Sequence, residues 1–250
     1  MSSTPIDRQP PPVALLPPAT LALDLGSRLH VVALTLLGPQ LTLRALPSEA
    51  LQAAALFPRA VAKRRAEFAA GRHAAGLALA QLGCLDAVSR NADGSPGWPT
   101  DFTGSISHGA QIAVAVGARR VDYAGVGIDV ESLISAAQCA EIAPRILSSE
   151  ELQLLRRALP NRGVPEHLSL GFSAKESLYK CLNPLVARFI EFEDARVARV
   201  LPESESRGRI WLALRQSLSS DFPSAVELPG RYAFASGRIE TAVWLTAPLA

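Results

Sequence analysis

Two carboxylates stand two positions apart in GVGIDVES, residues 125–132, a stretch that otherwise has the composition of a buried β-strand. Because side chains alternate between the two faces of a strand, Asp129 and Glu131 point to the same side. Two like charges side by side are unfavourable unless a positive group lies between them. Taken alone, the stretch is compatible with a solvated strand edge or a turn as well as with a functional site.

A third carboxylate and a lysine occur in FSAKESLYK, residues 172–180. Glu176 and Lys180 are four residues apart and share one face of a helix, which is also typical of an ordinary surface pair. The apolar neighbours predict a largely buried helix, in which a charged pair needs partners. If Glu176 faces Asp129 and Glu131, three carboxylates converge as a hard divalent cation requires, and Mg²⁺ is the natural candidate.

Arginines recur in AKRRAEFAAGR, residues 62–72, which has the composition of a helix. Arg64 and Arg72 are about 80° apart around a helix, and Arg65 and Arg72 are nearly in line. A guanidinium binds phosphate through a rigid fork of donors, so either pair could converge on one anion. A solvated basic face is an equally open alternative.

Ser107 and His108 lie in GSISHG, residues 104–109, at the end of a short strand whose glycines allow close backbone approach. A lone histidine more often has a structural or surface role. The sequence contains no nucleophile elbow or Ser-His-Asp order, no Walker A loop and no G-x-G-x-x-G fingerprint. These absences argue against a hydrolytic triad and against the common nucleotide-binding folds.

The composition indicates a globular protein: 48% of the 250 residues are hydrophobic, enough for one large domain or two halves. A formal net charge of +2 argues against a general nucleic-acid-binding surface. Cys84, Cys139 and Cys181 are widely spaced and fit neither a disulfide framework nor a C-x-x-C metal site, which favours a cytoplasmic location. N-terminal prolines and the charges within residues 58–83 argue against a signal peptide and a membrane span.

The pattern of elements predicts an α+β fold in two similar halves. A Pro-rich arm is expected at residues 1–18, an N-terminal α+β half at 19–122 and a C-terminal α+β half at 123–250. Strands are predicted at 21–27, 29–37, 105–109, 111–118, 124–132, 195–201, 209–217, 231–236 and 239–246, and helices at 47–57, at 58–82, from Ser148 and at 168–182, the last ended by Asn183-Pro184. Ser148 and Glu151 form a capping-box pattern.

Four segments in this order closely resemble the motifs of the 4′-phosphopantetheinyl transferase superfamily: KRRAEFAAGRHAA, GWPTDFTGSISHG, GVGIDVE and FSAKESLYK. KRR-x-EF, the WP before GSISHG, and FSAKES are similar to the siderophore branch, that of the enterobactin synthetase component D enzymes. Phe172 stands where many members carry Trp. The resemblance spans roughly residues 55–195 and implies two α+β halves related by a pseudo-twofold axis, with coenzyme A and Mg²⁺ in the cleft between them.

The resemblance implies transfer of the 4′-phosphopantetheine arm of coenzyme A to a serine of an acyl or peptidyl carrier protein, with release of 3′,5′-ADP. It implies that Asp129, Glu131 and Glu176 hold Mg²⁺, and that Asp129, Glu176 and Lys180 are catalytic. Glu176 or a metal-bound water would take the serine proton, and Lys180 would neutralise phosphate charge. The coenzyme A-binding residues that it implies are Arg64, Arg72, Arg90, Asn91, Asp93, Ser107, His108 and Lys180, with Arg65 as a helper.

The expected partners follow from the same resemblance. Carrier proteins are typically acidic, which suits a transient encounter with a mildly basic enzyme. A monomer is sufficient because both halves lie in one chain. Two alternatives stay open: an Mg²⁺-dependent phosphohydrolase acting on coenzyme A or another nucleotide, and a non-catalytic coenzyme A-binding protein. Three converging carboxylates and a lysine weigh against the second alternative, since binding alone does not require them.

Overall fold

The computed structural model describes residues 16–55, 59–186, 188 and 190–248. Two antiparallel sheets, one of three strands and one of five, form the framework, together with a short two-stranded hairpin. Residues 1–15 of the predicted Pro-rich arm lie outside the described residues, and Pro18 already bridges to Leu34. Among the described residues, no helix combines the length and the apolarity that crossing a bilayer requires.

The N-terminal sheet is covered by a long helix rich in alanine. The elements here are β1 (His30–Thr35), α1 (Pro39–Ala45), α2 (Ser48–Ala55), α3 (Ala62–Ala80), β2 (Ser89–Arg90), β3 (Pro96–Gly97), β4 (Phe102–Gly109) and β5 (Ile112–Arg119). The sheet order is β1-β5-β4, and α3 packs against β5 and β4. Small side chains such as Ala70, Ala74 and Ala78 are fully buried, so the helix lies close to the strands and places Arg64 beside β4.

The predicted strand at 21–27 was wrong. Leu21, Leu23 and Leu25 do alternate toward a buried cluster, which explains the pattern, but none of the described strands pairs with them. The backbone N–H groups of Ala22 and Leu23 instead donate to the buried carboxylate of Glu240, at 2.7 and 3.0 Å. Hydrogen bonds to a charged side chain thus take the place of backbone pairing with another strand. The prediction also missed α1 and started α3 four residues early, at Pro58, which lies outside the described residues.

The C-terminal sheet carries the second long helix. Its elements are β6 (Tyr123–Ser132), α4 (Ala136–Ile146), α5 (Ser149–Ala158), α6 (Val164–Val186), a 3-10 turn (Phe192–Asp194), β7 (Ala195–Pro202), β8 (Arg207–Leu214), β9 (Glu227–Ala235) and β10 (Arg238–Thr246). The sheet order is β6-β10-β9-β8-β7. The capping box of Ser148 and Glu151 is confirmed, and Ser236 and Gly237 both have positive φ, as a two-residue hairpin turn requires.

Helix α6 does not end at Asn183-Pro184 as predicted but continues to Val186. Proline removes one backbone donor, and in the last turn of a helix this affects only a single bond near the end. The sequence pattern also missed α4. The predicted α+β fold is nevertheless confirmed, with α3 behind the first sheet and α6 behind the second.

Strand β6 is where the two halves meet. Val126, Ile128 and Val130 pack in one buried cluster with Val114 and Val116 of β5. The strand also contacts β4 on one side and α6 on another. Charged residues on this strand are therefore presented to side chains from both halves.

Candidate active site

The centre of the site is a buried aspartate bonded to one residue from each of two neighbouring elements. Asp129 of β6 is 1% exposed. Its Oδ1 accepts hydrogen bonds from Lys180 Nζ of α6 at 2.6 Å and from Ser107 Oγ of β4 at 2.9 Å. Lys180 Nζ also donates to Ser107 Oγ at 3.0 Å. Residues that are distant in sequence thus meet at one carboxylate oxygen.

The second oxygen of this carboxylate has a different environment. Asp129 Oδ2 is buried and has no hydrogen-bond partner among the described residues. A buried polar atom without a hydrogen-bond partner destabilises the fold by roughly 1–3 kcal/mol, and an atom of a charged group by more. An oxygen of this kind fits a cation or a ligand donor, so the residues present are compatible with the Mg²⁺ that the resemblance implies.

The two other acidic residues lie within the field of Asp129. Burial, Asp129, Glu176 and Glu67 raise the pKa of Glu131 to about 7, although Lys180 opposes the shift. Burial also raises the pKa of Glu176, with Lys180 opposing and Asp129 adding to the shift. The charges of Asp129 and Glu176 thus act on Glu131, and the charge of Asp129 acts on Glu176. Among the described residues, however, no three acidic, histidine or cysteine side chains lie close enough to enclose a metal ion.

Glycines on β4 allow the close approach that the sequence suggested. A Cβ on Gly109 would overlap the backbone oxygen of Val130 and lie 3.2 Å from Glu131 Oε2. A Cβ on Gly104 would overlap the backbone oxygen of Val116 and lie 2.6 Å from the Trp98 ring. Strand β4 can therefore lie directly against β6 and against the indole beside the cleft.

A cleft of about 590 Å³ opens beside Lys180. It lies between the hairpin of β2 and β3, strand β4 and the C-terminal part of α6. Its lining residues are Arg64, Asp93, Gly94, Ser95, Pro96, Trp98, Gly104, Ser105, Ile106, Tyr179, Lys180, Asn183, Pro184 and Arg188. Three cationic side chains and two aromatic rings in one cleft suit a ligand that carries both phosphates and a flat base.

The structure separates the predicted arginine pair. Arg64 lines the cleft, and its Nη1 lies 3.0 Å from His108 Nε2. Arg72 instead donates from Nη1 to the backbone oxygens of Val88, at 2.9 Å, and Ser89. Burial lowers the pKa of Arg72 to about 10, with the charge of Arg90 adding to the shift. Arg72 thus supports the start of the hairpin, and its binding of coenzyme A stays a prediction.

The segment RNAD, residues 90–93, runs from the end of β2 into the turn before β3. Asn91 Nδ2 donates to Ser95 Oγ at 2.9 Å, and Asp93 accepts from the Ser95 hydroxyl at 2.7 Å and backbone N–H at 2.9 Å. These bonds from Ser95 lower the pKa of Asp93. Asp93 faces the cleft, whereas Asn91 shapes the turn, and Arg90 lies beside Arg72. Arg65, the proposed helper, has a buried Nε without a partner among the described residues.

Sequence reasoning missed Lys175, which precedes Glu176. Its side chain is 4% exposed, and its ammonium donates to the backbone oxygens of Ile146 and Phe192, at 2.8 and 2.9 Å, and to Glu151 at 2.9 Å. Burial lowers the pKa of Lys175 more than Glu151 raises it, whereas the pKa of Glu151 is lowered despite burial. We take the pair as ionised, because Glu151 accepts from two backbone N–H groups as well. The signal available in the sequence was a lysine on a helix predicted to be largely buried, where a charged side chain needs partners.

Glu67 was also missed, although it lies three residues after Arg64 on the same helix face. Its side chain is 15% exposed, and Oε2 lies 3.7 Å from His108 Nδ1. Glu67 is therefore a fourth carboxylate near Glu131, whose pKa it raises.

The raised pKa of Glu131 predicts a pH dependence of stability. Because the folded pKa of about 7 exceeds the ordinary value of 4.5, protonated Glu131 favours the folded state. This contribution is fully present below about pH 4.5 and is lost as the pH rises through about 7. In metal-free urea unfolding from about pH 5 to about pH 8, we expect Glu131→Gln to lose stability less steeply than the wild type. If the free energy of unfolding depended on pH equally in the two proteins, the raised pKa of Glu131 would be contradicted.

The fold and the site together define a class of protein. Acidic side chains beside a cleft that is lined by Arg64, Lys180 and Arg188 suit an enzyme that acts on a phosphate-bearing ligand. Comparison with known proteins makes this specific. A family model for the 4′-phosphopantetheinyl transferase N-terminal domain matches residues 52–118, and one for the 4′-phosphopantetheinyl transferase superfamily matches residues 125–233.

The similar proteins include two that are named 4′-phosphopantetheinyl transferases. The 4′-phosphopantetheinyl transferase PptT of Mycobacterium tuberculosis is 35% identical over 206 residues, which is 80% of this chain and 86% of PptT. Enterobactin synthase component D of Salmonella typhimurium is 41% identical over 124 residues, half of each protein. The 4′-phosphopantetheinyl transferase Npt of Nocardia iowensis is 35% identical over 144 residues, 57% of this chain and 62% of Npt.

The chain belongs to the 4′-phosphopantetheinyl transferase superfamily, which confirms the family and the enzyme class predicted from its four motifs. The match to component D spans about half the length of that protein, whereas the match to PptT spans most of it.

Proposed function

We propose that the chain transfers the 4′-phosphopantetheine group of coenzyme A to the hydroxyl of a serine in an acyl or peptidyl carrier protein. The new bond joins the serine oxygen to the phosphorus that bears pantetheine, and the bond from that phosphorus to the bridging oxygen breaks. The serine proton goes to a base of the enzyme, and 3′,5′-ADP leaves. The observation that carries the proposal is Asp129 Oδ2, which has no partner in the part of the chain that the structure describes and lies next to the Lys180 ammonium at the edge of the cleft.

Phosphoryl transfer needs positioned groups that neutralise charge more than it needs covalent chemistry. Lys180 is 23% exposed, so its ammonium can contact a ligand while Asp129 and Ser107 hold it in place. Arg64 supplies a second cation to the cleft. These two side chains bind and orient the diphosphate, and they balance the negative charge on its oxygens during displacement.

Of Asp129, Glu131 and Glu176, the three residues that would hold Mg²⁺ in this proposal, Asp129 is the best placed, through its Oδ2, which has no partner among the described residues. Because the described side chains do not lie close enough together to enclose an ion, the other two carboxylates would have to move toward Asp129 to hold it. When bound, the ion supplies charge neutralisation at the phosphate oxygens. Lys180 already donates a hydrogen bond to Oδ1 of Asp129, so Oδ2 is the oxygen of this carboxylate that would face an ion.

Glu176 is the residue that takes the serine proton in this proposal. A general base works best when its pKa lies near the working pH. Burial raises the pKa of Glu176 toward that range, and Lys180, one helical turn away, keeps the charged form accessible. Glu131 shares this property, but it lies at the end of β6 beside Gly109 rather than on the helix that borders the cleft.

The test is the mass of the carrier protein. We expect apo acyl or peptidyl carriers, incubated with the chain, coenzyme A and Mg²⁺, to gain one phosphopantetheine group, with 3′,5′-ADP formed in equal amount. A carrier in which the acceptor serine is alanine is the control, and a chelator should stop the reaction. No gain of mass with any of several carriers would contradict the proposal. Free phosphopantetheine in its place would support a phosphohydrolase.

A further inference from the structure

His108 sits between two charged side chains from one turn of α3. Its Nε2 lies 3.0 Å from Arg64 Nη1, and its Nδ1 lies 3.7 Å from Glu67 Oε2. Arg64 and Glu67 are three residues apart and share the helix face that packs against β4. One turn of helix thus faces both nitrogens of a single imidazole.

The hydrogen-bond partners assign the tautomer of this histidine. A guanidinium has only donors, so His108 Nε2 must accept the hydrogen bond from Arg64. A neutral imidazole then carries its proton on Nδ1, the nitrogen that faces the Glu67 carboxylate. At 3.7 Å this second contact is electrostatic and longer than a hydrogen bond.

The charge state agrees with this arrangement. Burial lowers the pKa of His108, and Arg64 and Lys180 add to the shift, whereas Glu67 and a hydrogen bond to the residue's own backbone oppose it. The ring is therefore neutral at neutral pH and can accept from Arg64. Lys63 Nζ, 3.8 Å from Glu67 Oε1, occupies the other oxygen of the carboxylate, and its side chain is 76% exposed.

We propose that Glu67 is a positioning residue that acts through His108: it holds the Nδ1–H tautomer, so that Nε2 fixes the Arg64 guanidinium at the cleft. Only the choice of coenzyme A as the anion rests on the proposed function. The sign of the effect separates this role from simple electrostatics. Removing a negative charge beside an anion site should tighten binding of coenzyme A, whereas losing the orientation of Arg64 should weaken it.

The first measurement is the tautomer, read from long-range ¹H–¹⁵N correlation spectra of the wild-type protein, with His108 assigned by the loss of its signals in His108→Gln. We expect the Nδ1–H form in the wild type and a mixture in Glu67→Ala, while Glu67→Gln, which keeps an acceptor oxygen, retains it. A wild-type Nε2–H form would overturn the proposal, as would an unchanged tautomer in Glu67→Ala.

The second measurement is the affinity for coenzyme A by calorimetry in metal-free buffer. By analogy with residues that orient a ligating histidine, we expect Glu67→Ala to raise Kd about tenfold and to raise KM with little change in kcat. Lys63→Gln removes the other partner of Glu67 and, as an exposed change, should alter Kd by less than about twofold. An unchanged or tighter Kd in Glu67→Ala would overturn the proposal.

The two measurements separate this proposal from the transfer activity. If no carrier is modified, yet Glu67→Ala loses the tautomer and binds coenzyme A more weakly, only the proposed function fails. If carriers are modified normally and Glu67→Ala has the wild-type tautomer and Kd, only the positioning role fails.

Discussion

Asp129→Asn is expected to reduce kcat/KM for carrier modification by about a thousandfold, the scale seen when a charge-stabilising group at a transition state is lost. The substitution keeps the shape of the side chain and removes the charge that pairs with Lys180 at 2.6 Å. It also puts an amide nitrogen, which repels a cation, in place of Oδ1 or of Oδ2, the oxygen that has no partner among the described residues. The measurement is the rate of mass gain by an apo carrier at saturating Mg²⁺.

The matched control for this change is Asp122→Asn, one residue before β6. Asp122 accepts from Arg28 at 3.2 Å on the surface, and an exposed pair of this kind contributes little to stability. We expect wild-type turnover from this variant. Circular dichroism and metal-free binding of coenzyme A should show that Asp129→Asn is folded. Wild-type turnover by a folded Asp129→Asn would refute the assignment of this carboxylate to the reaction.

Gly127→Ala is expected to have the largest effect on folding, a loss of about 3 kcal/mol or more in the free energy of unfolding. A Cβ on Gly127 would overlap the backbone oxygen of Ser177 and lie 2.8 Å from the Cys181 backbone nitrogen. Both neighbours are backbone atoms of α6, so the whole helix must move away from β6. Because Glu176 and Lys180 lie on that part of α6, activity should fall as well.

Gly76→Ala is the control for the glycine substitution. Gly76 lies inside α3, and a Cβ there would meet nothing within 4 Å. Alanine restricts the unfolded chain more than glycine does, so we expect a gain of about 0.5–1 kcal/mol. Urea unfolding of both variants measures the two changes in the free energy of unfolding, which should have opposite signs. A Gly127→Ala protein as stable as the wild type would show that β6 and α6 do not pack this closely.

Much of the fold could be predicted from local patterns. Alternation along β6, β8 and β10, and the capping box at Ser148, depend on residues that are close in sequence, so their meaning hardly changes with context. The wrong strand at 21–27 shows the limit. Its alternation was real, but a strand also needs a neighbouring strand to pair with. Here two of its backbone N–H groups instead donate to Glu240, more than 200 residues away.

The site divides in the same way. Periodicity alone places Asp129 with Glu131 on one strand face and Glu176 with Lys180 on one helix face. The structure adds a contact that the sequence did not predict: the Ser107 hydroxyl links Asp129 to Lys180, while the binding of coenzyme A by Ser107 stays a prediction. It also directs Arg72 to the carbonyls of Val88 and Ser89, away from Arg64. Helical spacing predicted that Arg64 and Arg72 could converge, but not which partners each would meet.

The sequence by itself determined the chemical groups, their order, the faces that they share and, through four ordered motifs, the family. Only the tertiary structure decided how far apart these faces lie. Strand β6 approaches α6 at Gly127 and β4 at Gly109, and these close contacts bring Asp129, Ser107 and Lys180 within 3.0 Å of one another. The physical reason is that periodicity depends on neighbouring residues, whereas distances between elements depend on the packing of side chains and backbones that are remote in sequence.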